Sequence, residues 1–161
     1  MKISIIGTGT VGQTFASKFI SLGHEVMMGT RNVSDKLASK ARDSYGNPPF
    51  SEWHSANNSI KLGTFSSAAS FGEIILNATN GGSSINALNL AGVKNLDGKI
   101  LIDLANPLDF SKGMPPSLIP GLSNTNSLGE EIQKTFPALK ESGLKIFRRL
   151  PLPWPSHFSS M

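Results

Sequence analysis

The chain contains no cysteine. That excludes a disulfide framework and any thiolate metal site. No uninterrupted apolar run approaches the ~18 residues of a membrane-spanning helix. The N-terminus carries no signal-peptide pattern, because "KISIIG" is too short for an apolar signal core and runs straight into a glycine loop. These absences suit a cytoplasmic protein. Charge is sparse, at 16% of residues, and unevenly placed. The formal net charge is +4, yet every acidic residue precedes residue 144, whereas Lys145, Arg148 and Arg149 follow it. Most of the positive excess therefore belongs to the C-terminal end. The body lacks a basic stripe with interleaved aromatics, so no nucleic-acid partner is expected. No metal-ligand spacing occurs, and His24, His54 and His157 form no catalytic constellation.

What is present is an ordinary globular composition, 39% hydrophobic over 161 residues, with 16 glycines. That length suits one domain, or one domain with an extension. Strand-like runs occur at 2–6, 24–31, 60–65, 73–80 and 99–107, with "LKIF" (144–147) as a candidate edge strand. Between them lie helical patterns at 13–22, at 34–43 behind a Ser34 cap, around 66–72, at 83–91 and at 126–136. Ser127 and Glu130 have capping-box spacing. Residues 44–50 and 108–123 read as loops. Alternating strands and helices predict a doubly wound α/β fold with a single, mostly parallel sheet of about six strands.

The most informative motif is "GTGTVG", which places Gly7, Gly9 and Gly12 in G-x-G-x-x-G spacing between a strand and a helix. That context makes it a dinucleotide-binding fingerprint. Gly7 permits the tight turn. Gly9 lets the backbone approach a pyrophosphate. Gly12 lets the helix pack on the strand. The helix N-terminus offers free N–H groups and partial positive charge to phosphates.

A further absence concerns the choice of cofactor. Folds of this kind that prefer NAD place an acid at the end of the second strand, to hold the ribose 2′-hydroxyl. Here the sequence reads Thr30, Arg31, Asn32, with Arg31 19 residues beyond Gly12. A guanidinium pairs with a 2′-phosphate, and a carboxylate would repel it. Thr30 and Asn32 can add hydrogen bonds, and Lys36 a second charge. These residues predict NADP rather than NAD. Asp103 stands at the end of an apolar strand, either as a functional group or as a hydrogen-bonded structural carboxylate. Phe50 and Trp53 are either local packing or a contact to a ligand.

The stretch "KISIIGTGTVGQTFASKFISLGHEVMMGTRN", with "ILNATNGGSSINAL", "KILIDLANPL" and "NTNSLGEEIQKTFP", resembles the NADP oxidoreductases that depend on the deazaflavin coenzyme F420. The resemblance covers roughly residues 1–137. It implies hydride transfer between C4 of the nicotinamide and C5 of the deazaflavin. It also implies pyrophosphate contacts from Gly7, Thr8, Gly9, Thr10, Val11 and Gly12, and 2′-phosphate recognition by Thr30, Arg31 and Lys36. Ala78, Thr79 and Asn80, with Ala105, Asn106 and Pro107, would line the ribose and nicotinamide. Transfer between two cofactors needs alignment and water exclusion more than acid–base groups, so no catalytic residue is assigned. The partners implied are small-molecule cofactors, and the resemblance allows for a homodimer.

Two other functions fit the same motif: an NADPH-dependent flavin or ferric reductase domain, and a non-catalytic nucleotide-sensing or partner-binding module. The sequence divides into an NADP-binding Rossmann domain at 1–147 and a Pro-rich, non-family tail at 148–161, expected to be poorly ordered. Family members continue after the "FP" helix with a strand ending Asn-Thr and a further, mostly helical segment. That segment helps build the deazaflavin site and usually the dimer. "RRLPLPWPSHFSSM" follows no such pattern, and its prolines cannot continue a helix or a central strand. It reads first as the out-of-frame end of a longer gene, and otherwise as a disordered extension or a polyproline ligand. A chain ending so is expected to bind NADP more securely than it transfers hydride.

Overall fold

The structure, a computed structural model, describes residues 1–43, 46–122 and 126–139. Residues 144–147 and the tail at 148–161 lie outside the described residues. Five parallel strands make the sheet: β1 (Lys2–Ile6), β2 (Glu25–Thr30), β3 (Lys61–Thr64), β4 (Ile74–Asn77) and β5 (Ile100–Asp103), in the order β3-β2-β1-β4-β5. The order reverses between β1 and β4, which opens a crevice beyond the carboxyl ends of those two strands. The expected parallel sheet is therefore present, with five described strands.

Residue alternation explains the layers. β1 and β4 are mostly apolar, with Ser4 and Asn77 as buried polar exceptions, because both faces of the sheet are covered. Ile5 and Leu76 point into a cluster with Ala16, Val26, Met28, Phe50 and Ile60. Their neighbours Ile6 and Ile75 point the other way, against Ala68, Leu88, Leu96, Leu128 and Ile132. Helices α1 (Thr10–Ser21) and α3 (Phe50–Ala56) thus cover one face. The other is covered by α4 (Phe65–Phe71), α5 (Ser84–Ala91), α6 (Val93–Leu96) and α7 (Leu128–Thr135).

Several boundaries differ from the sequence reading, each for a local reason. α1 begins at Thr10, inside the glycine motif, because Gln13 N–H already donates to Gly9 O at 2.9 Å. It ends at Gly23 as expected, with φ at +81°. α2 (Val33–Ala38) is shorter than 34–43, and its cap is Asn32 rather than Ser34: Asn32 Oδ1 accepts the Asp35 N–H at 3.2 Å. α3 starts at Phe50, directly after Pro49, where the reading had a loop. α6 follows Gly92 and was not anticipated. The 108–123 segment contains a small antiparallel pair, β6 (Leu108–Asp109) with β7 (Ser117–Leu118). The capping box at α7 is half formed. Ser127 Oγ accepts the Glu130 N–H at 3.2 Å, but the Ser127 N–H donates to Asn126 Oδ1 at 2.8 Å instead of to Glu130. β4 and β5 stop at Asn77 and Asp103, which leaves 78–80 and 104–107 as loops above the crevice.

Leu88 is fully buried in the cluster behind β4. Leu88→Ala should cost about 2–5 kcal/mol of unfolding free energy, read by urea denaturation. A loss below ~1 kcal/mol would contradict the packing described.

Candidate functional site

The site is built around one corner. Gly7 follows β1 with φ at +118°, a conformation that side-chain-bearing residues rarely adopt. A Cβ there would stand 2.6 Å from the Ala78 carbonyl oxygen. The Gly7 N–H donates to Gly29 O at 3.1 Å, so this residue ties together the ends of β1, β2 and β4. Gly12 is buried, and a Cβ on it would lie 2.8 Å from Gly7 O. α1 is therefore seated directly on the turn. Gly9 differs: a Cβ there would meet nothing within 4 Å. The space beside it is open, at the start of a helix whose first N–H groups have no partner within the helix.

Side chains pin this loop. Gln13 Nε2 donates to Thr8 O at 2.9 Å. Thr10 Oγ1 donates to Asp43 Oδ2 at 3.0 Å, and Asp43 also accepts from Asn47 N and Nδ2, at 2.8 and 2.7 Å. Val11 is half exposed. A groove of about 510 Å³ runs alongside, between α1 and α3, lined by Gln13, Thr14, Ser17, Asn47, Glu52 and Trp53 among others.

At the end of β2, Thr30 is buried and Arg31 is exposed. Among the described residues no hydrogen bond or ion pair holds Arg31; the Lys61–Glu25 ion pair lies at the other end of β2 and β3. The Asn32 side-chain Oδ1 is occupied as the α2 cap, which leaves the Nδ2 group to donate. Lys36 is half-buried, with Nζ 5.1 Å from the centre of the Phe50 ring.

Beyond β4, Ala78 N–H donates to Ile6 O at 2.9 Å, and Asn80 Oδ1 accepts the Gly82 N–H at 3.0 Å. Gly81 lies against the Asn106–Pro107 peptide so closely that a Cβ would come 2.5 Å from it. Residues 78–80 thus meet the glycine loop at Gly7 and the 105–107 loop at Gly81. The glycine loop, residues 78–80 and residues 105–107 meet at the carboxyl ends of the strands, with Thr30 and Arg31 at the end of the neighbouring β2 and Lys36 on α2 against Phe50.

Of the other candidates, Phe50 is a core residue and Trp53 packs on it, with ring centres 5.6 Å apart. His54 belongs to α3, and its Nε2–H donates to Ile60 O at 2.9 Å. His24 lies at the turn between α1 and β2, and His157 is outside the described residues. Among the described residues no group of three metal-ligating side chains occurs, and no helix is long and apolar enough to cross a membrane.

The sequence reading missed the polar network under the rim. Asn77 is fully buried, and its Nδ2 donates to Asp103 Oδ1 at 2.8 Å and to Ser84 Oγ at 3.1 Å. Its Oδ1 accepts from Thr79 Oγ1 at 2.8 Å, and Thr79 Oγ1 pairs with Ser84 Oγ at 2.8 Å. Asp103 Oδ1 also accepts the Ala105 N–H at 3.1 Å. Each group has partners, as a buried polar cluster requires. The available signal was an asparagine ending the apolar run "EIILN".

Asp103 thus has the hydrogen-bonded structural role. Burial raises its carboxyl above the usual range, and the bonds from Ala105 and Asn77 oppose that rise. The folded chain therefore takes up this proton more readily than the unfolded chain. The contribution of Asp103 to stability is greatest below the unfolded value of about 4 and declines as pH rises through the folded value. Asp103→Asn keeps an acceptor at Oδ1 and removes the charge. It should be more stable than the parent at neutral pH by urea denaturation, with the gain vanishing near pH 3 or about one unit below the unfolded value. A variant less stable at neutral pH would contradict this.

Comparison with known proteins agrees with this geometry. The family profile for NADP oxidoreductases, coenzyme F420-dependent, matches residues 2–107. A solved structure from Arthrobacter sp. FB24, provisionally assigned as an F420-dependent NADP reductase, is 52% identical, with a TM-score of 0.78. The match covers 86% of this chain and 59% of that one, so the chain spans less than two thirds of that relative's length. An imine reductase from Streptomyces aurantiacus is 20% identical over 66% of this chain and 33% of its own, with a TM-score of 0.49. Another, from Bacillus cereus BAG3X2, is 23% identical over 65% and 32%, with a TM-score of 0.48. These two distant likenesses carry no argument about function. Among curated proteins none matches the chain. The match to the family profile spans the glycine corner and both loops above β4 and β5, and the Arthrobacter likeness extends over most of the chain; the protein therefore belongs to the family of coenzyme F420-dependent NADP oxidoreductases.

Proposed function

We propose that this chain binds NADP(H) along the rim from Arg31 to Pro107 and positions the nicotinamide for hydride exchange with a deazaflavin of the coenzyme F420 type. The observation that carries the reading is the difference among the three glycines. Gly7 and Gly12 are closed off by protein, whereas the Cβ direction of Gly9 is open beside the N-terminus of α1. A pyrophosphate fits that space by backbone N–H donation and by the helix dipole. Thr8, Thr10 and Val11 complete the loop around it.

Arg31 is exposed, and no hydrogen bond or ion pair holds it among the described residues, as suits a group awaiting a 2′-phosphate. Thr30, Asn32 and Lys36 flank it. At the other end, Ala78–Asn80 and Ala105–Pro107 bracket the ribose and nicotinamide. Bound NADP(H) would bring the hydride-exchanging nicotinamide, with the deazaflavin as its exchange partner. The residues of this chain bind, orient and shield, and none is assigned a proton-transfer role. Deazaflavin as the partner rests on the family. NADP rather than NAD rests on Arg31.

Titration of the purified chain should give tighter binding of NADPH than of NADH. Arg31→Ala should weaken NADPH by about 1.5–3 kcal/mol, the range for a hydrogen bond to a charged group, and leave NADH unchanged. Equal affinity for the two nucleotides in the parent would refute the assignment of Arg31. Loss of the oxidised deazaflavin absorbance on adding NADPH would support the acceptor. Reduction of a flavin alone would favour the flavin-reductase alternative.

A further inference from the structure

Lys36 is oriented against expectation for a short surface helix. α2 turns Lys36 inward, half-buried, and leaves the adjacent Leu37 exposed at 38%. A lysine can lay its alkyl stem along apolar surface while its ammonium reaches outward. What receives the lysine is the face of Phe50, 5.1 Å from Nζ, within cation–π range.

Phe50 is itself fixed. It is 5% exposed and belongs to the core cluster under β2 and β3. The His54 ring stacks on it, with centres 5.6 Å apart and planes 21° from parallel. His54 in turn is held by the bond from Nε2–H to Ile60 O. A chain of contacts thus runs from the backbone just before β3, through His54 and Phe50, to the Lys36 ammonium. It ends one helical turn beyond the Asn32 cap, five positions after Arg31 in the sequence.

We infer that Phe50 is a positioning residue for nucleotide specificity: its ring face holds the Lys36 ammonium in place to share the 2′-phosphate with Arg31. The inference rests on the reading of Arg31 as the 2′-phosphate group. A free lysine side chain samples many rotamers and loses that freedom on binding. A ring face that already confines the ammonium reduces the loss, and the N–H donors turned away from the ring can serve a phosphate. The discrimination between NADPH and NADH is then set partly from α3, a helix that the 2′-phosphate itself does not touch.

The test is the ratio of NADH to NADPH dissociation constants in five variants. Phe50→Leu keeps an apolar core side chain and removes the π face. It should reduce the ratio about threefold to tenfold, mainly by weakening NADPH. Phe50→Tyr keeps the face and should keep the ratio. Lys36→Gln should reduce the ratio as well, and adding Phe50→Leu to it should reduce it no further. A merely structural role for Phe50 would weaken both nucleotides alike, or would act equally with and without Lys36, and either result overturns the inference. So does an increase in the ratio for Phe50→Leu, which would mean that the ring parks the lysine away from the phosphate. Arg31→Ala separates the two readings. If it leaves the ratio unchanged, the 2′-phosphate assignment itself fails; if it lowers the ratio and Phe50→Leu does not, only the inference about Phe50 fails.

Discussion

The arrangement depends on the contact between Gly7 and the Ala78 carbonyl. Two parallel strands, β1 and β4, leave the sheet side by side and must send their chains to opposite faces. β1 continues into α1, which packs with α3, whereas β4 continues into α5 on the other side. The two backbones can part at this spacing only if one of them has no side chain. A Cβ at Gly7 would overlap Ala78, and one at Gly12 would lift α1 away from the turn. With both glycines in place, the N-terminus of α1 sits at the mouth of the crevice and Gly9 faces open space. The anion-binding character of the corner is thus a consequence of close packing, and it needs no charged side chain.

The rest of the rim is held by satisfied polar groups rather than by apolar burial. Asn77 links β4 to β5 through Asp103, and to α5 through Ser84. These bonds end the two strands in register and set the height of the loops above them. At the opposite end, Arg31 is left exposed while its neighbours are committed: Thr30 is buried, Asn32 caps α2, and Lys36 lies on Phe50. One end of the rim is therefore fixed by hydrogen bonds and carries no cationic side chain, and the other is cationic. That polarity suits a ligand with a phosphate-bearing end and a planar, reacting end.

The sequence made some of this legible. β-branched runs flanking a G-x-G-x-x-G motif determined the strand–turn–helix start, since that spacing serves both packing and phosphate approach. The missing acid after β2 pointed to Arg31. The Ser127 cap of α7 was also readable, although the reciprocal Glu130 contact was replaced by Asn126. The helix at Phe50–Ala56 was not legible, because it follows two prolines and is held by tertiary contacts of Phe50 and Trp53 rather than by its own pattern. Nor was the role of Asn77, because a single polar residue at a strand end gives no hint of partners seven and 26 positions away. Asn32 took the cap from Ser34 because its side chain reaches the Asp35 N–H. Local propensity could not choose between these neighbours.

The central claim is where the nucleotide lies. Backbone amide chemical-shift mapping of the isotope-labelled chain with NADPH tests it most directly. The account predicts that the largest shifts fall on the amides of Gly7–Gly12, Thr30–Asn32, Ala78–Asn80, Ala105 and Asn106. Shifts concentrated instead in the groove between α1 and α3, at Thr14, Ser17, Glu52 and Trp53, with the glycine corner unmoved, would contradict it.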